Sequence, residues 1–222
     1  MWPDQRICEL FSIEHPIIQA PMTGSCTPAL AGAVSNAGGL GSMGCAAKSI
    51  ETIRREVTDL RAASNRGFNL NFFVTPAPET EPAVLEDARE RLRPWYDRYE
   101  LGEPPRDLPE LAAGFTPEHL DLMMELRPTI VSFHFGHPGA EAIKTLKNVG
   151  IKLLSSATNV REARELEAVG MDAIIAQGWE AGGHHGTHSP RAPMDGIGTL
   201  ALVPQIVDAV SVPVIAAGGI AD

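Results

Sequence analysis

Seven short apolar runs recur along this chain, and a helical pattern follows nearly every one. The runs are Pro16–Pro21, Leu40–Met43, Phe68–Val74, Thr129–Phe135, Lys152–Ala157, Asp172–Gln177 and Val212–Ala217, each bounded by turn residues and too short for a buried helix. Between them the apolar spacing predicts helices over Pro28–Asn36, Ile50–Ala63, Pro82–Tyr99, Pro117–Leu126, Ala140–Asn148, Val160–Val169 and Leu200–Ala209. Several have a start or stop signal, such as Thr158-Asn159 ahead of Val160 and Gly170 behind Val169. Strands alternating with helices across short connections imply a parallel sheet with helical crossovers.

A doubly wound sheet and an α/β barrel both satisfy that alternation. The doubly wound nucleotide folds open their first helix with G-x-G-x-x-G, and no such turn follows the first strand. Gly38-Gly39-Leu40-Gly41 precedes a strand, so it reads as a helix stop and a tight turn. The expected fold class is therefore α/β, a TIM-type (β/α)8 barrel with about seven βα units in one domain over 1–222. Residues Arg93–Gly114 interrupt the rhythm: Trp95, Tyr96 and Tyr99 are followed by Gly102-Glu103-Pro104-Pro105, which disfavours a regular element and reads as an excursion. The residues stop just past the seventh strand, so the sequence is read as an incomplete barrel, most simply a piece of a longer one.

Composition narrows the function classes. A formal net charge of -10 disfavours nucleic acid and anionic membrane surfaces as partners, since both call for basic patches. Three cysteines, Cys8, Cys26 and Cys45, have no C-x-x-C or zinc spacing, which fits a reducing cytoplasm. Cys45 reads as a small buried hydrophobe in preference to a reactive thiol. No run reaches the 18 or so apolar residues of a membrane span, and the N-terminus lacks the pattern of a signal peptide.

The chemistry concentrates where the sixth strand ends. Ala176-Gln177-Gly178-Trp179-Glu180-Ala181-Gly182-Gly183-His184-His185-Gly186 presents an amide, a carboxylate and an imidazole on a glycine-rich loop. Glycines let backbone N–H groups approach a flat or anionic ligand, and barrels place their chemistry on such loops. His184-His185-x-x-His188 resembles a metal cluster only superficially, because adjacent residues of an extended loop point apart. No metal is expected, and His185 and His188 read as exposed loop residues. Glu180 reads either as orienting a histidine or as solvated. Alternation puts His134 on one strand face with Ser132 and Ile130; if that face looks inward, His134 nears the substrate, and otherwise it is a bonded core histidine. Gly24-Ser25-Cys26-Thr27 is no phosphate cradle, and Thr27-Pro28 reads as a helix cap with a first-turn proline.

The loop resembles the AQGxEAGGHxG signature of the FMN-dependent nitronate monooxygenases, formerly called 2-nitropropane dioxygenases. Pro16-Ile17-Ile18-Gln19-Ala20-Pro21-Met22, Ser35-Asn36-Ala37-Gly38-Gly39-Leu40-Gly41, Asn69-Leu70-Asn71-Phe72-Phe73, Val131-Ser132-Phe133-His134-Phe135-Gly136 and Pro213-Val214-Ile215-Ala216-Ala217-Gly218-Gly219-Ile220 match in the family's order. The resemblance implies FMN as cofactor, a small nitronate or nitroalkane and dioxygen as partners, and a carbonyl compound and nitrite as products. It implies His184 as the base that removes the α-proton of a nitroalkane, a task suited to an imidazole of ordinary pKa about 6.5. It places Asn71 and Gln177 at the flavin ring, Ala20, Pro21 and Met22 beneath it, Gly182 and Gly183 on the cofactor side of the loop, and Gly218 and Gly219 at the phosphate. An eighth strand with a second phosphate loop follows in relatives. Two other readings stay open: an NAD(P)H-dependent FMN reductase of the enoyl-acyl-carrier-protein reductase or quinone reductase type, and an inactive fragment.

Overall fold

Six parallel strands lie side by side in chain order: β1 (Gly41–Gly44), β2 (Phe68–Phe73), β3 (Ile130–His134), β4 (Lys152–Ala157), β5 (Ala173–Gln177) and β6 (Val214–Ala217). A doubly wound sheet reverses its strand order at a switch point, whereas a barrel wall adds each strand beside the last. The order here runs without reversal, so the sheet is part of a TIM-type barrel. This computed structural model describes residues 2–75, 81–106, 114–188 and 196–220. Two compact units divide the chain, one formed by 1–75 with 114–222 and the other by 76–113.

The expected first strand is reduced to a single parallel bridge between Ile18 and Leu40. Leu40 donates to Ile17 O and Gln19 donates to Leu40 O, but the ladder goes no further. Pro16 and Pro21 flank the run and have no N–H to give. The helices fall close to expectation: α2 (Pro28–Asn36), α3 (Ile50–Ala63), α4 (Pro82–Arg98), α5 (Pro117–Leu126), α6 (Ala140–Asn148), α7 (Val160–Ala168) and α8 (Thr199–Val207). Side chains of Thr27, Ser49, Thr116 and Asn159 accept from backbone N–H groups at four of their N-termini, satisfying donors that a helix start leaves over. A six-residue helix not expected from the sequence, α1 (Arg6–Phe11), precedes them all.

Strand alternation divides the larger core in two. Met43, Leu70, Phe72, Val131, Phe133, Leu153 and Ile174 point outward and pack with Ile53 and Val57 of α3, Leu122 of α5, Leu146 of α6, Leu166 of α7 and Leu202 of α8. Leu40, Ile130, Leu154 and Ala173 point the other way and meet Phe11, with Ile7, Leu10, Ile18 and Ile215 against them. Most of this second set starts its strand, so α1 plugs the N-terminal end of the inner face. The opposite end is left for polar side chains.

In the unit 76–113, α4 runs through Pro94 to Arg98, as the helix expected over Pro82–Tyr99 does, so only the part of the expected Arg93–Gly114 excursion that overlaps it is regular. The proline removes one backbone donor but the turns on either side persist. Arg93 pairs with Glu103 at 2.9 Å, and Arg89 donates to Pro104 O, tying the following segment back to the helix. Residues 107–113 of the expected excursion lie outside those described. No described helix is long and apolar enough to cross a membrane.

Candidate active site

Above the apolar plug, the inner face turns polar. Alternation brings Ser42 of β1, Asn69 and Asn71 of β2, and Ser132 of β3 to the same side, and the register sets Ser42 beside Asn69 and Asn71 beside Ser132. Asn69 Nδ2 donates to Ser132 Oγ at 2.9 Å and Ser42 Oγ at 3.2 Å, and Asn71 Nδ2 donates to Ser132 Oγ at 2.9 Å. Among the described residues, Asn69 Oδ1 is the buried side-chain polar atom left without a partner. Buried acceptors are nearly always bonded, so this one is a vacancy for a donor.

The mouth of the barrel is built from the ends of β3, β4 and β5. Gln177 closes β5 and bonds the loop beyond with both ends of its amide, Nε2 donating to His184 O at 2.9 Å and Oε1 accepting from Gly186 N at 2.6 Å, which still leaves the second Nε2 hydrogen over. His134 closes β3 and bonds the same carbonyl through Nε2 at 3.1 Å, while its Nδ1 meets Ser156 Oγ at 2.7 Å. A carbonyl only accepts, so Nε2 of His134 bears the proton and Nδ1 takes the Ser156 hydroxyl. The face with Ile130 and Ser132 is thus the inner one, and His134 is a bonded histidine on it. Burial pushes its pKa down to about 4, and the neighbouring His184, His185 and His188 press the same way against the bond to His184 O. It is neutral near pH 7.

Held by two donors at its carbonyl, His184 keeps its ring exposed. The imidazole lies edge-on to Phe73 at 5.2 Å and to Phe135 at 5.8 Å between centroids. Phe135 adopts φ 71, a left-handed conformation that a bulky residue rarely takes and that clusters at functional sites. Gly186 is required by space: a Cβ there would lie 2.5 Å from His134 Cε1 and 2.6 Å from Ser156 Oγ. The side chain at 184 is therefore free while the chain carrying it is fixed.

The residues expected at a cofactor come to the same rim. Met22 is exposed, and its Cε lies 4.0 Å from where a Cβ on Gly183 would stand, so the loop after Ile18 meets the loop after β5. Buried Cys26 clasps that first loop, donating through Sγ to Ala20 O at 3.2 Å and accepting from Met22 N at 3.0 Å across Pro21. Gly218 (φ 115) and Gly219 (φ 69) follow β6, and a Cβ on Gly218 would stand 2.9 Å from Ala181 N. Gly218 thus stands beside Ala181, the residue that leads into Gly182-Gly183. A Cβ on Gly182 would meet nothing within 4 Å, leaving open space beside that backbone. Open glycine backbone at the rim, with a vacant acceptor in the polar belt below, fits a planar ligand that has an anionic tail.

Two expectations change, whereas Glu180 keeps the exposed place expected of a solvated carboxylate: it orients no histidine, and it accepts from Thr199 N at 2.7 Å and Thr199 Oγ1 at 2.8 Å, capping α8. His185 and His188 are half-buried and not simply exposed. The first sets its ring against Trp179 at 5.0 Å, and the second donates from Nε2 to Ser156 O at 2.8 Å. Cys45 is the buried thiol expected, with burial pushing its pKa up to about 12. Ser156, Cys26 and Glu162 escaped the sequence reading. Asn159-x-x-Glu162 carries the signal of a helix cap, which hides the loop contacts that Glu162 also makes.

The sequence model of one protein family, described as nitronate monooxygenase, matches residues 4–222. A nitronate monooxygenase of Paraburkholderia phytofirmans is 46% identical over 98% of this chain and 60% of that protein. A nitroalkane oxidase structure from Streptomyces ansochromogenes superposes with a TM-score of 0.80 at 37% identity, covering 94% of this chain and 59% of that one. FabK from Thermotoga maritima gives 0.72 at 31% identity, covering 98% and 55%. The chain thus spans about three fifths of the length of such relatives.

Proposed function

As the chain belongs to the nitronate monooxygenase family, we propose that it forms the base-bearing part of an FMN-dependent site that oxidises alkyl nitronates and nitroalkanes with dioxygen, giving carbonyl compounds and nitrite. The observation that carries this reading is His184, whose ring is exposed at the rim while its backbone is pinned by Gln177 and His134. A nitroalkane is a carbon acid. His184 takes the proton from its α-carbon, and the electron pair left behind delocalises into the nitro group as the nitronate.

Phe73 and Phe135 flank the imidazole and form an apolar wall that excludes water from the reacting carbon. His134 is neutral and bonded at both nitrogens, so it orients the loop and leaves base chemistry to His184. The residues that would hold the flavin are Met22, Gly182 and Gly183 on one side, Asn71 and Gln177 at the ring edge, Gly218 and Gly219 at the phosphate, and Ala20 and Pro21 beside Met22. The chemistry supplied by bound FMN is electron withdrawal from the nitronate and its delivery to dioxygen. Its fit is supported by the open backbone at Gly182 and the vacant acceptor of Asn69.

The test is His184→Asn. Turnover of a neutral nitroalkane falls by two or more orders of magnitude, roughly the worth of a positioned general base. Preformed nitronate, which has no α-proton left to lose at that step, is still oxidised, and FMN is retained. Equal loss with both substrates would contradict the assignment.

A further inference from the structure

Glu162, in the first turn of α7, is fully buried, and it is the charged residue among the buried polar side chains described. A carboxylate cut off from water is costly unless its oxygens are bonded. Here both are. One oxygen accepts from Thr158 N and Thr158 Oγ1, each at 2.8 Å, in the manner of a cap reaching back over its helix start. The other accepts from Thr187 Oγ1 at 2.9 Å and His188 N at 3.1 Å. Burial, the largest influence, raises the pKa of this carboxyl, yet bonds from Thr158 N and His188 N and the nearby His188 ring together hold it below the ordinary value. It is ionised at neutral pH.

A helix cap needs only the first of those oxygens. The second is aimed across to the segment that leaves His184. From there the bonds are continuous. His188 Nε2 donates to Ser156 O at 2.8 Å, Ser156 Oγ donates to His134 Nδ1 at 2.7 Å, and His134 Nε2 donates to His184 O at 3.1 Å. Gln177 grips the middle of the same loop at His184 O and Gly186 N. The loop is therefore gripped at 184–186 from β3 and β5, and at 187–188 from α7. A backbone held at both ends of so short a span leaves the imbedded glycines little freedom to move the base.

We infer that Glu162 is a positioning residue for His184: its buried carboxylate anchors Thr187 and His188 so that the imidazole is held where it meets the carbon acid. The inference rests on the reading of His184 as the base. It adds a residue more than twenty positions away, on a different element, that touches neither substrate nor cofactor.

The experiment compares Glu162→Gln, Thr187→Val and His184→Asn in the purified protein, using a neutral nitroalkane, its preformed nitronate, and amide hydrogen exchange over 183–188. Glu162→Gln keeps the shape but turns one accepting oxygen into a donor. Nitroalkane kcat should fall on the order of ten- to hundredfold, the cost of displacing a catalytic group by about an ångström, and nitronate kcat should fall far less. Exchange over 183–188 should quicken while exchange in the strands is unchanged. Thr187→Val, which keeps the charge, should move both readouts the same way by less, and it carries the test if Glu162→Gln does not fold. Unchanged exchange in a folded variant, or equal loss with both substrates, overturns the role of Glu162. If His184→Asn fails to separate the two substrates, the base reading falls, and the exchange result still decides whether Glu162 anchors the loop.

Discussion

His134 has the residue type of a proton carrier and the surroundings of a tether. With Ser156 on one nitrogen and the carbonyl of His184 on the other, it functions only while neutral. Its folded pKa of about 4 lies below the ordinary 6.5, so the unfolded chain takes up a proton first as the pH falls. The stabilising effect is complete above pH 6.5 and is lost progressively toward pH 4. His119 and His137 are lowered in the same direction by burial and also lose their contribution as the pH falls below 6.5, so the informative comparison is between the parent and His134→Asn. We expect urea midpoints to decline more shallowly from pH 6.5 to 4.5 in the variant; identical slopes would assign the loss to other groups. Glu162 acts in the same direction at lower pH: its contribution persists above 4.5 and fades only below that. The sequence makes residue types such as Gln177 and His134 legible at strand ends. It does not reveal their partners, because each bond crosses from one element to another.

Elements were readable where periodicity had room to show. The helices from Pro28–Asn36 onward run nine residues or more, several start at a Thr, Ser or Asn cap, and their outward strand neighbours are apolar. α1 has six residues, and Gln5 ahead of it makes no side-chain cap bond, so neither period nor cap announces it. The bridge at Ile18 fails for the opposite reason: the run looks like a strand, but its prolines cannot donate to a ladder. What α1 contributes is burial. Phe11 is 1% exposed and seals the inner face against Leu40, Ile130 and Leu154. Phe11→Ala should therefore cost about 3–5 kcal/mol, a loss measurable by chemical denaturation. A loss below about 1 kcal/mol would mean that α1 packs loosely and the plug is dispensable.

At the scale of the molecule, the sheet order places every candidate group at one end of the barrel and the apolar plug at the other. The candidate site was legible to the extent that it is contiguous: Gln177 to Gly186 carries an amide, glycines and the base in one stretch. What joins that stretch to α7 through Glu162, or the loop at Met22 to Cys26, depends on folding and leaves no local pattern. The central claim is that these residues serve nitronate oxidation and not flavin reduction by a nicotinamide. The most direct measurement is an anaerobic absorbance titration of the purified protein with FMN, first with an alkyl nitronate and separately with NADH. The account predicts loss of the oxidised flavin band on adding nitronate and little change with NADH. Rapid bleaching by NADH with none by nitronate would contradict it.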